Sequence, residues 1–178
     1  LAVGVDPHRP DDEPDFSGLR YGKVRILSDA DVDGSHIQVL LLTLFFRHFP
    51  KLIERGHVYI ARPPLFRIDA PARGKRPASK IYALDEGERD AALDKLRKEG
   101  ARDGSWSIGR FKGLGEMNAE QLWDTTLNPE TRRLLPVSFA ALGFADTTAA
   151  MTRLMGKGEA AARRELMELR GDAVEVDV

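Results

Sequence analysis

An α/β fold, with a small parallel sheet flanked by helices and a mostly helical C-terminal stretch, is what this sequence predicts. Three observations carry it. Val24, Ile26 and Leu27 form a short β-prone run that ends at Ser28-Asp29. A helical stretch follows from Gly34-Ser35 to about His48, and Gly56 then precedes a second buried-type strand, His57-Val-Tyr-Ile-Ala61. Strand, helix and strand joined by short links make a βαβ unit, whose strands run parallel.

The remaining elements follow in order. Leu1-Ala-Val-Gly-Val5 reads as a short apolar strand entered mid-pattern, so the chain is expected to be a fragment. Pro7, Pro10 and Pro14 among Asp6, Asp11, Asp12, Glu13 and Asp15 mark residues 6–20 as a loop. Ser35 is placed to cap the helix that follows the first strand. Ile37, Val39, Leu40, Leu41, Leu42, Leu44, Phe45, Phe46 and Phe49 make that helix apolar almost all round, which predicts burial on most sides. Pro50 lies just past its end, and Pro63-Pro64 breaks the chain after the second strand. Leu65–Ile68 and Lys80–Leu84 read as paired strands around a basic loop holding Arg73, Lys75 and Arg76. Residues 86–99 read as a charged helix and Trp106–Phe111 as another strand. Helical pieces are expected near 119–126, 130–135, 146–155 and 159–169, ahead of an acidic tail with Asp172, Glu175 and Asp177.

Composition narrows the function. The 178 residues suit one domain of about 100–200 residues. The absence of Cys excludes a disulfide scaffold, a thiolate zinc site and a Cys nucleophile. The run from Ile37 to Phe49 is too short to cross a bilayer and no signal peptide opens the chain, so a cytoplasmic protein without membrane contact is expected. A net charge of -1 argues on its face against a nucleic-acid partner, because phosphate binding needs a basic surface. The acidic residues, however, gather in the early loop, the tail and one short motif, apart from Arg110, Lys112 and the basic loop.

That motif is Asp29-Ala-Asp-Val-Asp-Gly34. Its carboxylates, Asp29, Asp31 and Asp33, stand at the carboxyl end of a predicted parallel strand, where α/β sheets bind ligands. Carboxylates this close repel one another unless a cation neutralises them, and oxygen-only ligands suit Mg²⁺, with Mn²⁺ or Ca²⁺ as substitutes. The plain alternative is an Asp-rich turn or cap. An EF-hand loop needs Glu at its twelfth position, which here is Leu40. A haloacid-dehalogenase-like phosphatase would use Asp29 as nucleophile and Asp31 as general acid, with Gly171-Asp172 and Asp177 as its late acidic motif.

A second motif, Gly109-Arg-Phe-Lys-Gly-Leu-Gly-Glu-Met117, joins a strand to a helix signalled by Asn118 with Gln121 three residues on. Gly113 and Gly115 let the backbone approach a phosphate, and Arg110 and Lys112 share one side of an extended strand. An ordinary strand-to-helix turn is the alternative. A carboxylate metal site and a basic glycine-rich loop on one sheet together suggest phosphodiester chemistry.

Three long segments, Leu27–Ile37, His57–Leu65 and Arg110–Asn118, with Thr126–Leu134 in agreement, resemble the B subunits of bacterial type IIA topoisomerases over nearly the whole chain. The two ends, Val3–Pro7 and Arg163–Val178, resemble the topoisomerase IV branch more than gyrase. The resemblance implies a Toprim fold, a Rossmann-like parallel sheet. Residues 1–115 would be the C-terminal part of that domain, with a hairpin and helix inserted at about 65–104, and 116–178 a helical tail. It implies an ATP-dependent enzyme that cuts both strands of one duplex, passes another through and reseals. The nucleophilic tyrosine sits on a partner A subunit in an A2B2 heterotetramer, and ATP binds a separate N-terminal domain. Asp29 and Asp31 match the metal-binding pair, with Asp33 in support. His36, Arg110, Lys112 and Arg164 would lie near DNA. For His36 a backbone-satisfied histidine, and for Arg163 and Arg164 a solvated helix face, are the alternatives. The family's E-G-D-S motif, whose Glu is the general acid/base, is missing, and Glu13 in its Pro-rich loop does not take that role. Tyr21, Tyr59 and Tyr82 are expected to be structural. Alone, the chain is expected to bind Mg²⁺ weakly and neither to hydrolyse ATP nor to cleave DNA.

Overall fold

The computed structural model describes residues 2–74, 76–139 and 143–171. They divide into two compact units, one formed by 1–20, 42–56 and 137–178, the other by 21–41 and 57–136.

The second unit carries both motifs. Strand β1 (Val24–Ile26) pairs in parallel with β2 (Val58–Ala61), and β6 (Leu134–Pro136) pairs antiparallel with β2 on its other side. Helix α1 (Val32–His48) is the crossover between β1 and β2, as the βαβ pattern predicts. The sheet is therefore mixed, and parallel only in the β1–β2 pair. A separate antiparallel sheet has the order β4 (Ser79–Ala83), β3 (Phe66–Ala70), β5 (Ser107–Arg110). Phe66, Ile68 and Ala70 alternate inward along β3, the two-residue period of a half-buried strand. Helix α3 (Glu86–Lys98) begins at Asp85, whose carboxylate accepts from the Glu88 N–H at 2.9 Å. After β5 come one 3-10 turn (Leu114–Glu116), the short helix α4 (Ala119–Leu122) and a π-helical turn (Trp123–Leu127). Asn118 and Gln121 form the expected reciprocal capping box.

The first unit buries Val5, Phe45, Pro50, Leu52 and Ile53. His8 joins them. Its Nδ1 lies 2.8 Å from the Asp6 carbonyl and its Nε2 accepts from the Lys51 N–H at 3.2 Å. Helix α2 (Pro50–Glu54) starts on the proline that the sequence marks as a stop, because proline at the first helical position loses no needed donor. Helices α5 (Gly143–Met155) and α6 (Ala160–Arg170) are joined through Arg163, which donates to the carbonyls of Leu154 at 3.3 Å and Gly156 at 3.1 Å.

Four sequence expectations are corrected. Residues 2–5 are not a strand: Gly4 adopts φ +83°, and a Cβ there would lie 1.9 Å from the Gly18 carbonyl oxygen. Residues 130–135 are not helical. A turn at Asn128, whose side chain accepts from the Glu130 N–H, leads instead into β6. Helix α1 starts at Val32, and Asp31 rather than Ser35 caps it. The same helix is not buried on most sides, since Ile37, Leu40 and Leu44 are 51%, 47% and 45% exposed. Apolar residues at i, i+3 and i+7 define a face but do not say what covers it. Asp172 and Asp177, the late motif of the phosphatase reading, lie outside the described residues, as does Lys75 of the basic loop.

Candidate functional site

The site is built where the loop after β1 meets the loop after β5. The Leu114 N–H donates to Asp29 Oδ1 at 2.7 Å. Gly113 lies flat on the same carboxylate: a Cβ at 113 would come within 2.8 Å of Asp29 Cγ and 3.0 Å of both oxygens. Gly34 is constrained more tightly, because its Cβ would lie 2.1 Å from the Asp29 carbonyl oxygen. Each glycine is thus needed for close approach, and both approaches fix Asp29.

Asp31 holds the start of α1. Its Oδ1 accepts from the Gly34 N–H at 2.7 Å, and its carbonyl accepts from the Ser35 hydroxyl at 2.9 Å. Asp33 sits in the first turn of α1, where a negative charge faces the positive end of the helix. His36 follows on the same helix and is exposed. A cleft of about 310 Å³ opens beside these residues, lined by Ser28, Asp29, Ser35, Gln38, Arg62 and Leu135 among others.

The basic loop also has defined geometry. Phe111 points inward, 9% exposed, and stacks on Tyr82 at 6.5 Å between centroids. Its neighbours Arg110 and Lys112 are therefore both on the outer side, as the strand period predicts. Glu116 closes the loop by accepting from the Lys112 N–H at 2.8 Å. Burial raises the Tyr82 phenol above its usual pKa, with nearby Asp124 adding to the rise.

The structure brings Asp29 and the Gly113-Leu114 backbone together, with Asp31, Asp33 and His36 on the loop and helix that follow Asp29. Arg164 lies in the other unit, exposed on α6. Its neighbour Arg163 is engaged at the end of α5. Glu13 is engaged too, with Arg55 at 3.3 Å and Lys51 at 3.8 Å. Sequence reasoning passed over Arg62, which lines the cleft beside Asp29; its place directly after β2 was the available signal.

Among the described residues, no three His, Cys, Asp or Glu side chains gather into a complete ligand set. The donors at the loop are exposed carboxylates. Asp29 and Asp31 each use Oδ1 for a backbone N–H, which leaves Oδ2 on each. One or two carboxylates with open positions fit Mg²⁺, which keeps waters and takes substrate phosphate, better than an all-protein cage.

Comparison with known proteins places the whole chain beside DNA topoisomerase subunits. A family profile described as "DNA gyrase B subunit, carboxyl terminus" matches residues 103–168. The B subunit of DNA topoisomerase 4 from Haemophilus influenzae is 46% identical across the whole chain, and its Escherichia coli counterpart 44%. The DNA gyrase B subunit of Thermus thermophilus is 48% identical over 92% of the chain. The chain belongs to the type IIA DNA topoisomerases. Within them it is a stretch of the B-subunit family, and it spans about a quarter of the length of these relatives, 26% for the first two.

Proposed function

We propose that this chain is the Toprim-containing, C-terminal part of a topoisomerase IV B subunit, and that Asp29 and Asp31, supported by Asp33, hold Mg²⁺ for DNA double-strand cleavage and religation. The observation that carries the reading is the Leu114–Asp29 hydrogen bond, which docks a basic glycine-rich loop on an acidic strand-end loop. In this reading residues 1–115 are the C-terminal part of a Toprim domain, with the hairpin and helix at 65–104 as its insertion, and 116–178 form its tail.

Each residue has a role derived from its place. Gly113 and Gly34 let backbone close on Asp29, whose second oxygen is the one assigned to the metal. Asp31 fixes the first turn of α1 through the Gly34 N–H and offers its other oxygen to the same metal. Arg110 and Lys112, on the outer side of the loop, neutralise the phosphodiester that approaches. His36, one turn into α1, contacts the same backbone. The metal, when bound, stabilises charge on the oxygens that attack and leave during the displacement. Bound cations also reverse the sign of this acidic loop, so a chain of net charge -1 meets DNA without a basic surface overall.

The cleaving tyrosine belongs to an A subunit, ATP is hydrolysed in another part of the B subunit, and the A2B2 assembly relaxes and decatenates DNA during chromosome segregation in the bacterial cytoplasm. The ends of the chain favour this branch over gyrase. By itself the chain neither cleaves DNA nor hydrolyses ATP. The test uses the full B subunit with its A subunit, supercoiled plasmid and linked circles, with Mg²⁺ or with chelator. Asp31→Asn keeps the helix cap, since Asn caps as well as Asp, but removes the charge. Loss of both reactions in that variant is expected. Full activity would sink the metal reading, and ATP-driven supercoiling by the wild type would move the chain to the gyrase branch.

A further inference from the structure

The insertion at 65–104 carries a feature that the topoisomerase reading does not use. At the tip of the β3–β4 hairpin, Arg73 and Arg76 exchange backbone hydrogen bonds of 2.9 Å each way, so the two residues stand directly opposite. Directly opposed residues present their side chains to the same face, where like charges repel. Arg76 is answered by the Glu99 carboxylate. Among the described residues, no carboxylate pairs with Arg73, whose guanidinium lies against Gly100, where a Cβ would be 3.1 Å from Nη1. Gly100 holds φ +83°, a conformation that favours glycine, and this leaves room for the guanidinium.

Arg73, Arg76 and Glu99 line a cavity of about 360 Å³ that also includes Leu96, Arg102 and Trp106. Arg102 has no ion pair among the described residues either. Trp106 is half-buried, has Arg97 above its ring at 5.9 Å from the centroid, and walls a second, adjoining cavity of about 530 Å³. The volume falls in the range of small-ligand pockets, roughly 300–1,000 Å³.

We propose that this cavity binds a nucleotide unit, with its phosphate on Arg73 and Arg102 and its base against Trp106. Guanidinium forks match phosphate oxygens and relieve the repulsion at the hairpin tip. An indole offers a stacking surface that accepts any base. Glu99 keeps Arg76 oriented while leaving the pocket net positive. The unit comes either from a free nucleotide or from a nucleic-acid strand; the recognition chemistry is the same.

Photocrosslinking of the full-length B subunit with 8-azido-AMP tests this. Trypsin releases residues 103–110 as one peptide between Arg102 and Arg110, and that peptide contains Trp106. Saturable labelling of it is expected, distinguishable by mass from labelling at any other nucleotide site. Arg73→Gln, which leaves the peptide unchanged, is expected to weaken labelling about tenfold, the loss of one charge-assisted hydrogen bond. Competition by AMP alone identifies a free nucleotide, and stronger competition by a single-stranded oligonucleotide identifies a strand; either supports the site. No label on the peptide, labelling indifferent to Arg73→Gln, or competition by inorganic phosphate equal to that by AMP would each overturn it. Because the readout is a mapped peptide, failure here leaves the Asp29 reading untouched.

Discussion

The Leu114 N–H reaches Asp29 Oδ1 at 2.7 Å across 85 residues of chain, and that bond joins the two motifs that the sequence presents separately. It occupies one carboxylate oxygen and leaves the other for a ligand. Asp29 therefore has two roles that substitution separates. Asn keeps an oxygen for Leu114 but loses the charge, whereas Ala loses both. Asp29→Asn is expected to melt within about 0.5 kcal/mol of wild type, and Asp29→Ala to lose about 1 kcal/mol, the net worth of one hydrogen bond. Both are expected to abolish Mg²⁺-dependent cleavage by the assembled enzyme. Cleavage by Asp29→Asn at the wild-type rate would remove the charge from the mechanism.

Gly113→Ala tests the docking from the other side. The added methyl meets the Asp29 carboxylate at 2.8 Å, so the side chain or the loop must shift. Overpacking of this kind costs about 1–3 kcal/mol. Cleavage is expected to fall far more than thermal stability does, because the contact displaced is the candidate ligand itself. Equal losses in a melt and in a cleavage assay would make Gly113 a packing residue only.

At Gly34 the obstacle is backbone, 2.1 Å from the Asp29 carbonyl oxygen, and backbone cannot swing aside. Gly34→Ala is accordingly expected to cost more than Gly113→Ala, at or above about 3 kcal/mol, and to unfold the loop and the first turn of α1. Chemical denaturation of the two variants side by side gives the order. A smaller loss for Gly34→Ala would contradict the geometry described for the loop.

Much of this arrangement was legible in the sequence, and the failures have physical causes. Alternation placed Arg110 and Lys112 on one side of their strand, and the fold puts Phe111 between them on the buried side, because a strand's period of two is set by its backbone. The Asn118–Gln121 box was readable because a cap is a local hydrogen-bond pattern. Helix α1 shows the limit: its residues were identified, but burial depends on what packs against Ile37, Leu40 and Leu44. The three Asp residues were equally visible, yet their unlike tasks were not. Only the fold shows Asp29 held by a distant loop, Asp31 capping a helix and Asp33 within its first turn. Strand β6 was missed because Leu134–Pro136 is too short to show a period, and its pairing with β2 is a tertiary fact.

The capping box gives a local prediction. Asn118→Ala removes the acceptor for the Gln121 N–H, now at 2.9 Å, and leaves only the reciprocal half of the box, the backbone N–H of residue 118 donating to Gln121 Oε1 at 3.0 Å. A loss of about 1 kcal/mol is expected in a thermal melt, as for other caps. Asn118→Asp, which still caps, is expected to recover most of it.

The last prediction concerns acid. Glu88 on α3 accepts from the Leu84 N–H at 3.0 Å and pairs with Arg133, and these contacts, the backbone bond first, hold its carboxyl below the usual range. A depressed pKa means that the folded state favours the ionised form. The contribution is complete above the unfolded glutamate value, about pH 4.3, and is lost as pH falls through the lower folded value. Glu88→Gln removes the titration while keeping the size of the side chain. The gap in melting temperature between wild type and Glu88→Gln is therefore expected to be constant from pH 7 to about pH 5 and to close below about pH 4. A gap that widens in acid would reverse the sign of the linkage and show that the Leu84 and Arg133 contacts do not favour the carboxylate.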